Sequence, residues 1–215
     1  MTVSPTENLF NVLDETALIL QEELSCTYLE AVAESGENLF HQDVLQDELN
    51  ELSKKRLEKK YAEAGLEQMG KEQIRKALQL AMLKGMKESS QPNHQMTPDA
   101  IGMFISYLVG KFTSGSQEIR VLDPAVGTGN LLTTVLNGLG DKKTASIGAD
   151  IDDLLIKLSY IGANLQKHPL QLFNQDSLEP LFIDPVDVVI SDLPVGYYPN
   201  DLRAAEYELD RKSVV

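Results

Sequence analysis

From residue 119 to residue 192, short β-rich runs alternate with helix-like stretches, and each run ends within a few residues of an aspartate. The four runs are 119–122, 145–149, 170–173 and 187–191. Strands that alternate with helices predict a parallel, doubly wound sheet, because each helix returns the chain to the end of the sheet at which the next strand begins. We therefore expect an α/β fold for this part of the chain.

The aspartates that follow these runs are the first candidates for a binding site. They are Asp123, Asp150, Asp176 and Asp192. Ligands of open α/β sheets bind beyond the carboxyl ends of the strands, so these four side chains should line one crevice. A single aspartate after a strand is often only a turn or helix-cap residue. Four in succession, beside a loop with glycines, favour a ligand site instead.

A loop with two glycines follows the first predicted strand. Gly127 and Gly129 allow the backbone to turn tightly and to come close to a ligand. The third glycine of a dinucleotide fingerprint is missing, because residue 132 is leucine, and the Lys-Ser/Thr pair of a P-loop is also missing. An acid before the loop and another 21 residues after Gly129 indicate a ribose-bearing ligand without a pyrophosphate, since carboxylates repel phosphates and accept hydrogen bonds from ribose hydroxyls.

The first 90 residues differ from the rest in charge and in pattern. Residues 1–50 hold eleven acidic side chains and no Lys or Arg, in a chain whose net charge is −14. This balance argues against a free-standing nucleic-acid binder, because phosphate contacts need a basic face, and it favours a protein partner for the acidic helices. Turn-forming residues at 89–93 mark a boundary. We predict a helical domain at 1–90 and an α/β domain at 91–215.

The spacing of apolar residues predicts four helices in that first domain. Ser4 is the expected N-cap of the first helix. The second begins at about Thr27 and ends near Gly36. The third carries the apolar residues of 44–57, and the fourth begins after Gly70.

Three further features limit the environment of the chain. A single cysteine, Cys26, excludes a disulfide framework and a cysteine-built metal site, and we expect no metal. No apolar run reaches the length of about 18 residues that spans a membrane. The start of the sequence lacks the basic and apolar segments of a signal peptide. We expect a soluble, cytoplasmic protein without membrane contact.

Three motifs resemble those of amino-methylating, adenine-specific DNA methyltransferases. Residues 123–132, Asp-Pro-Ala-Val-Gly-Thr-Gly-Asn-Leu-Leu, resemble the S-adenosylmethionine loop of that family. Residues 94–99 resemble the segment that packs over the methionine end of the cofactor, and residues 191–199 resemble the catalytic Asn/Asp-Pro-Pro-aromatic motif. The chain is similar in particular to the small adenine-methyltransferase-like proteins of Gram-positive bacteria, which have a helical N-terminal domain. This resemblance implies the Rossmann-like sheet of class I methyltransferases.

The resemblance also implies S-adenosyl-L-methionine as the cofactor. Asp123 and the loop backbone would hold its amino-acid part, the loop residues being Ala125, Gly127 and Gly129. Thr97 and Pro98 would close the methionine side. The same two residues also fit a helix start, with Thr97 as N-cap and Pro98 at the first helical position, and both interpretations can hold together.

The other half of the cofactor is assigned by the same resemblance. Asp150 would accept hydrogen bonds from the ribose hydroxyls, and Ile151 would pack on the adenine ring. Asp176 would accept a hydrogen bond from the exocyclic amine of that ring.

Asp192 is the residue to which the resemblance gives the catalytic role. The amino group of adenine is a poor nucleophile, because its lone pair is delocalised into the ring. Asp192, helped by the carbonyl of Leu193 or Pro194, would accept the amine hydrogens and localise that lone pair. The family has proline and an aromatic residue where this chain has Leu193 and Val195. Tyr197, or the tyrosine after it, is then the candidate for stacking on a flipped base, the alternative being local packing in the turn.

We expect methyl transfer from S-adenosylmethionine to the N6 amino group of adenine in DNA. One alternative is a cofactor-binding protein that does not methylate and acts as a regulatory or interaction module. Another is the same chemistry on RNA, a protein or a small amine. A complete methyltransferase sheet has further strands after the fourth, so we expect a truncated sheet and DNA contacts that lie outside this chain. The chain alone should then be weakly active or inactive, and its edge strand at 187–191 could self-associate.

Overall fold

Seven α-helices, one 3₁₀ turn and four strands make up the regular structure of residues 4–89 and 96–193, the part that this computed structural model describes. The helices are α1 (Pro5–Leu24), α2 (Tyr28–His41), α3 (Glu51–Tyr61), α4 (Lys71–Ser89), α5 (Asp99–Phe112), α6 (Asn130–Gly138) and α7 (Asp153–Leu165), with the 3₁₀ turn at Leu66–Gln68. The strands are β1 (Glu118–Asp123), β2 (Lys143–Asp150), β3 (Leu170–Asn174) and β4 (Val188–Val189). Within the described residues, every helix is too short or too polar to cross a membrane.

The four strands form one parallel sheet in the order β3-β2-β1-β4. Leu122 of β1 lies opposite Ile147 of β2 on one side and Val189 of β4 on the other. The chain moves outward from β1 to β2 and β3 and then returns to the far side of β1, so the strand order reverses between β1 and β4. The predicted α/β sheet is confirmed, and each predicted run overlaps one strand.

The first two helices begin where the capping residues predict. The Ser4 hydroxyl accepts a hydrogen bond from the Glu7 amide at 3.2 Å. Thr27 and Glu30 form a reciprocal capping box at the start of α2. The predicted end of α2 near Gly36 is wrong, because the helix continues to His41. A Cβ at Gly36 would lie 2.5 Å from Ile161 Cγ2, so this glycine allows close packing against α7 and does not end the helix.

The third predicted helix begins later than expected. Residues 44–49 precede α3, and the N-cap of this helix is Asn50. The Asn50 side chain accepts hydrogen bonds from the Leu52 and Ser53 amides. The buried Asn38 explains the difference. Its Oδ1 accepts from the Leu45 amide at 3.0 Å and its Nδ2 donates to Gln46 Oε1 at 2.8 Å. The Asn38 side chain thus satisfies the Leu45 amide in place of a helical backbone bond and also holds the Gln46 side chain.

The N-terminal helical segment, which consists of α1 to α4, packs against the sheet through α7. Buried apolar residues of α1, α2 and α4 share a hydrophobic core with four residues of α7, which are Leu155, Leu158, Ile161 and Leu165. Lys157 of the same helix pairs with Glu34 at 2.6 Å and with Glu37 at 2.7 Å. A second core lies between the sheet, α5 and α6. The division into two domains at residue 90 stays a prediction, and that residue lies outside the described part of the chain.

Candidate functional site

The loops that follow β1 and β4 form a crevice with the segment that precedes α5. The residues that line it are Met96, Thr97, Asp123, Ala125, Val126, Gly127, Thr128, Asn130, Leu131 and Asp192. The structure thus brings together five predicted site residues, Thr97, Asp123, Ala125, Gly127 and Asp192. The crevice lies where the strand order reverses, which is the usual ligand position in open α/β sheets.

The two glycines of the β1–α6 loop are required at their positions for different structural reasons. Both adopt the left-handed conformation, with φ of 52° at Gly127 and 75° at Gly129. A Cβ at Gly127 would meet nothing within 4 Å. A Cβ at Gly129 would lie 2.5 Å from the Ser159 hydroxyl oxygen and 3.3 Å from the Ser159 Cα. Gly129 therefore allows α7 to approach the start of α6, whereas Gly127 supplies only the turn and an open backbone.

Asp150 holds this loop in place from the end of β2. Its Oδ2 accepts a hydrogen bond from the Gly127 amide at 2.8 Å, and its Oδ1 accepts one from the Asp152 amide at 3.0 Å. The Val126 amide also donates to the Ala149 carbonyl at 2.9 Å. Each carboxylate oxygen keeps a further lone pair for a ligand hydroxyl. The ribose role assigned to Asp150 stays a prediction.

Asp123 is the most deeply buried acid of the crevice, with 1% of its surface exposed. Its Oδ1 accepts a hydrogen bond from the Ala125 amide at 3.1 Å. Burial raises the pKa of the Asp123 carboxyl to about 7, and the charges of Asp150 and Asp192 add to the rise, while the Ala125 hydrogen bond opposes it. No three His, Cys, Asp or Glu side chains within residues 4–89 and 96–193 are grouped as a metal site would require. A cationic group placed against Asp123 would favour its charged form.

Thr97 contacts the predicted catalytic acid directly. Its hydroxyl donates to Asp192 Oδ2 at 2.8 Å, across 95 residues of sequence. The interpretation of Thr97 as a helix cap is wrong, because α5 begins at Asp99 with Pro98 at the N-cap position and no capping side chain. The backbone carbonyl of Thr97 accepts a hydrogen bond from Asn130 Nδ2 at 3.2 Å. The buried Thr97 is therefore positioned by Asn130 of α6 through its carbonyl, and it positions Asp192 through its hydroxyl.

The remaining predicted residues lie around the crevice or outside the described residues. Ile151 is 70% exposed. Asp176 lies in the turn after β3, where its Oδ1 accepts a hydrogen bond from the Leu178 amide at 2.9 Å. Neither side chain lines the crevice. Pro194 and Tyr197 lie outside the part of the chain that the structure describes.

Sequence reasoning missed Arg75, which reaches the edge of the crevice from α4. Its side chain is 2% exposed, and one guanidinium nitrogen donates to Asn130 Oδ1 at 2.7 Å. Glu72, three residues earlier, pairs with it at 2.6 Å. A Glu-x-x-Arg spacing is common on solvated helix faces, so no local signal distinguishes this buried arginine from an exposed one.

Comparisons with known proteins agree with this architecture. Residues 7–86 match the family model of the YtxK N-terminal helical domain. Over 201 residues the chain is 54% identical to the uncharacterized protein YtxK of Bacillus subtilis, a match that covers 93% of this chain and 61% of YtxK. The chain resembles YtxK.

Solved structures extend the similarity to the sheet. A Listeria monocytogenes protein, described as a candidate class I S-adenosylmethionine-dependent methyltransferase, is 53% identical with a TM-score of 0.86, and the match covers 97% of this chain and 64% of that one. The chain thus spans less than two thirds of the length of YtxK and of the Listeria protein. The type I restriction-modification methyltransferase subunit of Streptococcus thermophilus matches at 15% identity and a TM-score of 0.59, over 86% of this chain and 44% of that one. The predicted order, a helical N-terminal domain followed by a Rossmann-like methyltransferase sheet, is confirmed.

Proposed function

We propose that this chain carries the cofactor-binding part of an S-adenosylmethionine-dependent methyltransferase that acts on the N6 amino group of adenine in DNA. One observation carries the proposal. The buried Asp123, the glycine loop and the Thr97–Asp192 pair all line one crevice at the reversal of the strand order. The description of the Listeria monocytogenes relative supports the reaction class, and the motif at 191–199 supports the adenine target.

The donor set of the crevice fits this cofactor. S-adenosylmethionine has a cationic ammonium group and a cationic sulfonium centre, and Asp123 is a desolvated acid beside two further carboxylates. Asp123 would hold the amino-acid part together with the loop backbone at Ala125, Gly127 and Gly129. The open space beside Gly127 leaves room for a ligand against the loop, while the Gly127 amide itself donates to Asp150.

The rest of the cofactor would lie along the ends of β2 and β3. Asp150 would accept from the ribose hydroxyls, Ile151 would cover the adenine ring and Asp176 would accept from its amine. Thr97 and Pro98 would close the methionine side. When bound, the cofactor supplies an electrophilic methyl group on its sulfonium centre.

Asp192 is suited to activate an amine at this place. The Thr97 hydroxyl occupies Oδ2, which fixes the carboxylate and leaves Oδ1 to accept from a substrate amino group. Accepting those hydrogens localises the lone pair of the amine toward the crevice. Thr97 and Asp192 would position the acceptor amine against the methyl group of the bound cofactor, so positioning and electrostatics would supply most of the rate.

A second candidate function is cofactor binding without methyl transfer. The observation that favours it is Leu193, which stands where the family has proline and is 65% exposed beside the catalytic position. A site of this kind would serve as a regulatory or interaction module. RNA, a protein or a small amine are the other acceptors that the same chemistry allows.

Calorimetric titration of the chain with S-adenosylmethionine tests the proposal. We expect micromolar binding, weakened about a hundredfold by Asp150→Ala, because hydrogen bonds to a charged group contribute about 1.5–3 kcal/mol each. Asp141→Ala is the matched control, since this exposed aspartate lies in the turn before β2, at the opposite end of the strand from Asp150. It should change the Kd by less than about twofold. A wild-type chain that binds no cofactor would contradict the proposal.

Transfer of a labelled methyl group then separates the acceptors, and it is measured with a protein that spans the full length of the relatives, because this chain alone is expected to be weakly active or inactive. Duplex DNA with adenine, adenine-free duplex DNA, RNA and an unfolded protein are offered in parallel. Label in the adenine duplex alone supports the proposed function. Cofactor binding without label in any polymer favours the second candidate, and label in RNA or protein replaces the DNA assignment.

A further inference from the structure

Arg75 is a charged side chain at a buried position, which is rare in proteins unless the charge is paired. Its side chain is 2% exposed, and its Nε and one terminal nitrogen bind both oxygens of Glu72, at 2.8 Å and 2.6 Å. The other terminal nitrogen donates to Asn130 Oδ1 at 2.7 Å and to Asp99 Oδ1 at 3.1 Å. Arg75 is buried while the Glu72 side chain is 45% exposed, and burying a charge in this way is frequently no more stabilising than apolar packing.

The other two partners of Arg75, Asn130 and the acid Asp99, are the first residues of two helices that begin beside the crevice. Asp99 begins α5, two residues after Thr97. Asn130 begins α6, directly after Gly129. Arg75 therefore ties the starts of α5 and α6 to each other and to α4.

A short series of hydrogen bonds leads from Arg75 to the predicted catalytic acid. Arg75 donates to the amide oxygen of Asn130, and the amide nitrogen of Asn130 donates to the Thr97 carbonyl at 3.2 Å. The hydroxyl of Thr97 then donates to Asp192 at 2.8 Å. The orientation of the Asn130 amide is fixed by Arg75, because the guanidinium donates only and must face the oxygen.

Helix α4 also holds the other end of α6. Asn137, seven residues after Asn130, donates to Glu72 Oε2 at 3.1 Å. Arg75 thus holds α6 at its first residue, and Glu72 holds it two turns later, near its last residue. These two residues lie on one turn of α4, which therefore positions α6 and the loop that ends at Gly129.

We propose that Arg75 is a positioning residue through which the N-terminal helical segment fixes the methyl-transfer crevice. The inference rests on the proposed function, since it assigns to Arg75 the alignment of Asn130 and Thr97 against the cofactor and Asp192. It gives the helical segment a direct part in the activity of the sheet. No contact between Arg75 and the cofactor is required.

Two substitutions on the same helix test this role. Arg75→Met removes the guanidinium and keeps an apolar stem. Lys84→Met is the control, because Lys84 also lies on α4, where it pairs with Asp14 of α1 at 2.5 Å and lies over the Tyr28 ring of α2. We expect Arg75→Met to raise the Kd for S-adenosylmethionine about tenfold, and Lys84→Met to change it by less than about twofold.

Arg75→Lys supplies the conservative variant, and it replaces Arg75→Met should that variant not fold. Lysine keeps the charge without the planar fork, so we expect a Kd about threefold above that of the wild type. Equal shifts in the Arg75 and Lys84 variants, or an unchanged Kd in both Arg75 variants, would overturn the proposal.

Amide hydrogen exchange separates this inference from the proposed function. We expect the hydrogen-bonded amides at the starts of the two helices, those of Ile101 and Gly102 in α5 and of Gly129 and Thr133 at α6, to exchange faster in the Arg75 variants than in the wild type, and to be unchanged in Lys84→Met. This comparison decides the positioning role even when the wild-type chain binds no cofactor, in which case only the proposed function fails. Exchange at those amides that is the same in all variants would overturn the positioning role.

Discussion

The two loops that form the crevice are held in different ways. The loop after β1 is largely buried, and it is held by the left-handed Gly127 and Gly129 within it and by the Asp150 carboxylate at the end of the neighbouring strand β2. The segment after β4 follows a strand of two residues, and Asp192 is exposed there, with its hydrogen bond coming from Thr97. We call the loop after β1, together with Asp150, the cofactor side of the proposed site, and the segment after β4 with Asp192 its catalytic side. The comparison indicates that the cofactor side is held by the loop itself and by the neighbouring strand, whereas the catalytic side depends on a contact from Thr97.

Gly129→Ala is the substitution that should damage the cofactor side most. It places a Cβ 2.5 Å from the Ser159 hydroxyl oxygen at a φ of 75°. We expect the free energy of unfolding to fall by about 3 kcal/mol, from the cost of the left-handed conformation together with overpacking. Urea unfolding measures the change.

Gly140→Ala is the control for backbone conformation alone. Gly140 has a φ of 62°, and a Cβ there would meet nothing within 4 Å. Its substitution should cost about 1 kcal/mol. Equal losses at the two glycines would mean that close packing of α7 on the loop does not fix the cofactor side.

Thr97→Val should affect the catalytic side and leave the cofactor side intact. Valine keeps the shape of the buried side chain and removes the hydroxyl that holds Asp192. In a protein that spans the full length of the relatives, we expect the rate of methyl transfer to fall about tenfold, because a hydrogen bond to a charged group contributes about 1.5–3 kcal/mol. The Kd for S-adenosylmethionine should stay within about twofold.

Thr113→Val at the other end of α5 is the matched control. Thr113 is buried, and its hydroxyl donates to the Val109 carbonyl at 2.7 Å, away from the crevice. It should leave the rate of methyl transfer unchanged. A Thr97→Val variant that loses cofactor affinity as strongly as it loses rate would remove the distinction between the two sides.

Much of the cofactor side was predictable because its signals are local. Strand ends, the glycine loop and the aspartates after each strand are read from neighbouring residues, and the sheet follows from their alternation. The contacts that hold the catalytic side are not local. Thr97 meets Asp192 across 95 residues, and Arg75 meets Asn130 across 55, so no spacing in the sequence indicates either pair. The packing role of Gly36 within α2 was not predictable for the same reason, since the residue that it packs against, Ile161, lies on α7.

The pH dependence of cofactor binding follows from Asp123. In the unliganded chain burial raises the pKa of its carboxyl to about 7, so protonated Asp123 is populated near neutral pH. A cation against Asp123 favours the carboxylate, and binding must then release the proton. Affinity should fall by up to about tenfold for each pH unit below 7, over a range in which an α-amino group of pKa about 7.7–8.0 stays charged.

Calorimetric titration with S-adenosylmethionine at pH 7, in buffers of different ionisation enthalpy, tests the central claim most directly. We predict that protons are released as the cofactor binds, because burial raises the pKa of the Asp123 carboxyl to about 7 and a bound cation favours its charged form. Asp123→Asn should abolish the release and weaken binding. Binding without proton release, or an equal release from Asp123→Asn, would contradict the assignment of this crevice to a cationic cofactor.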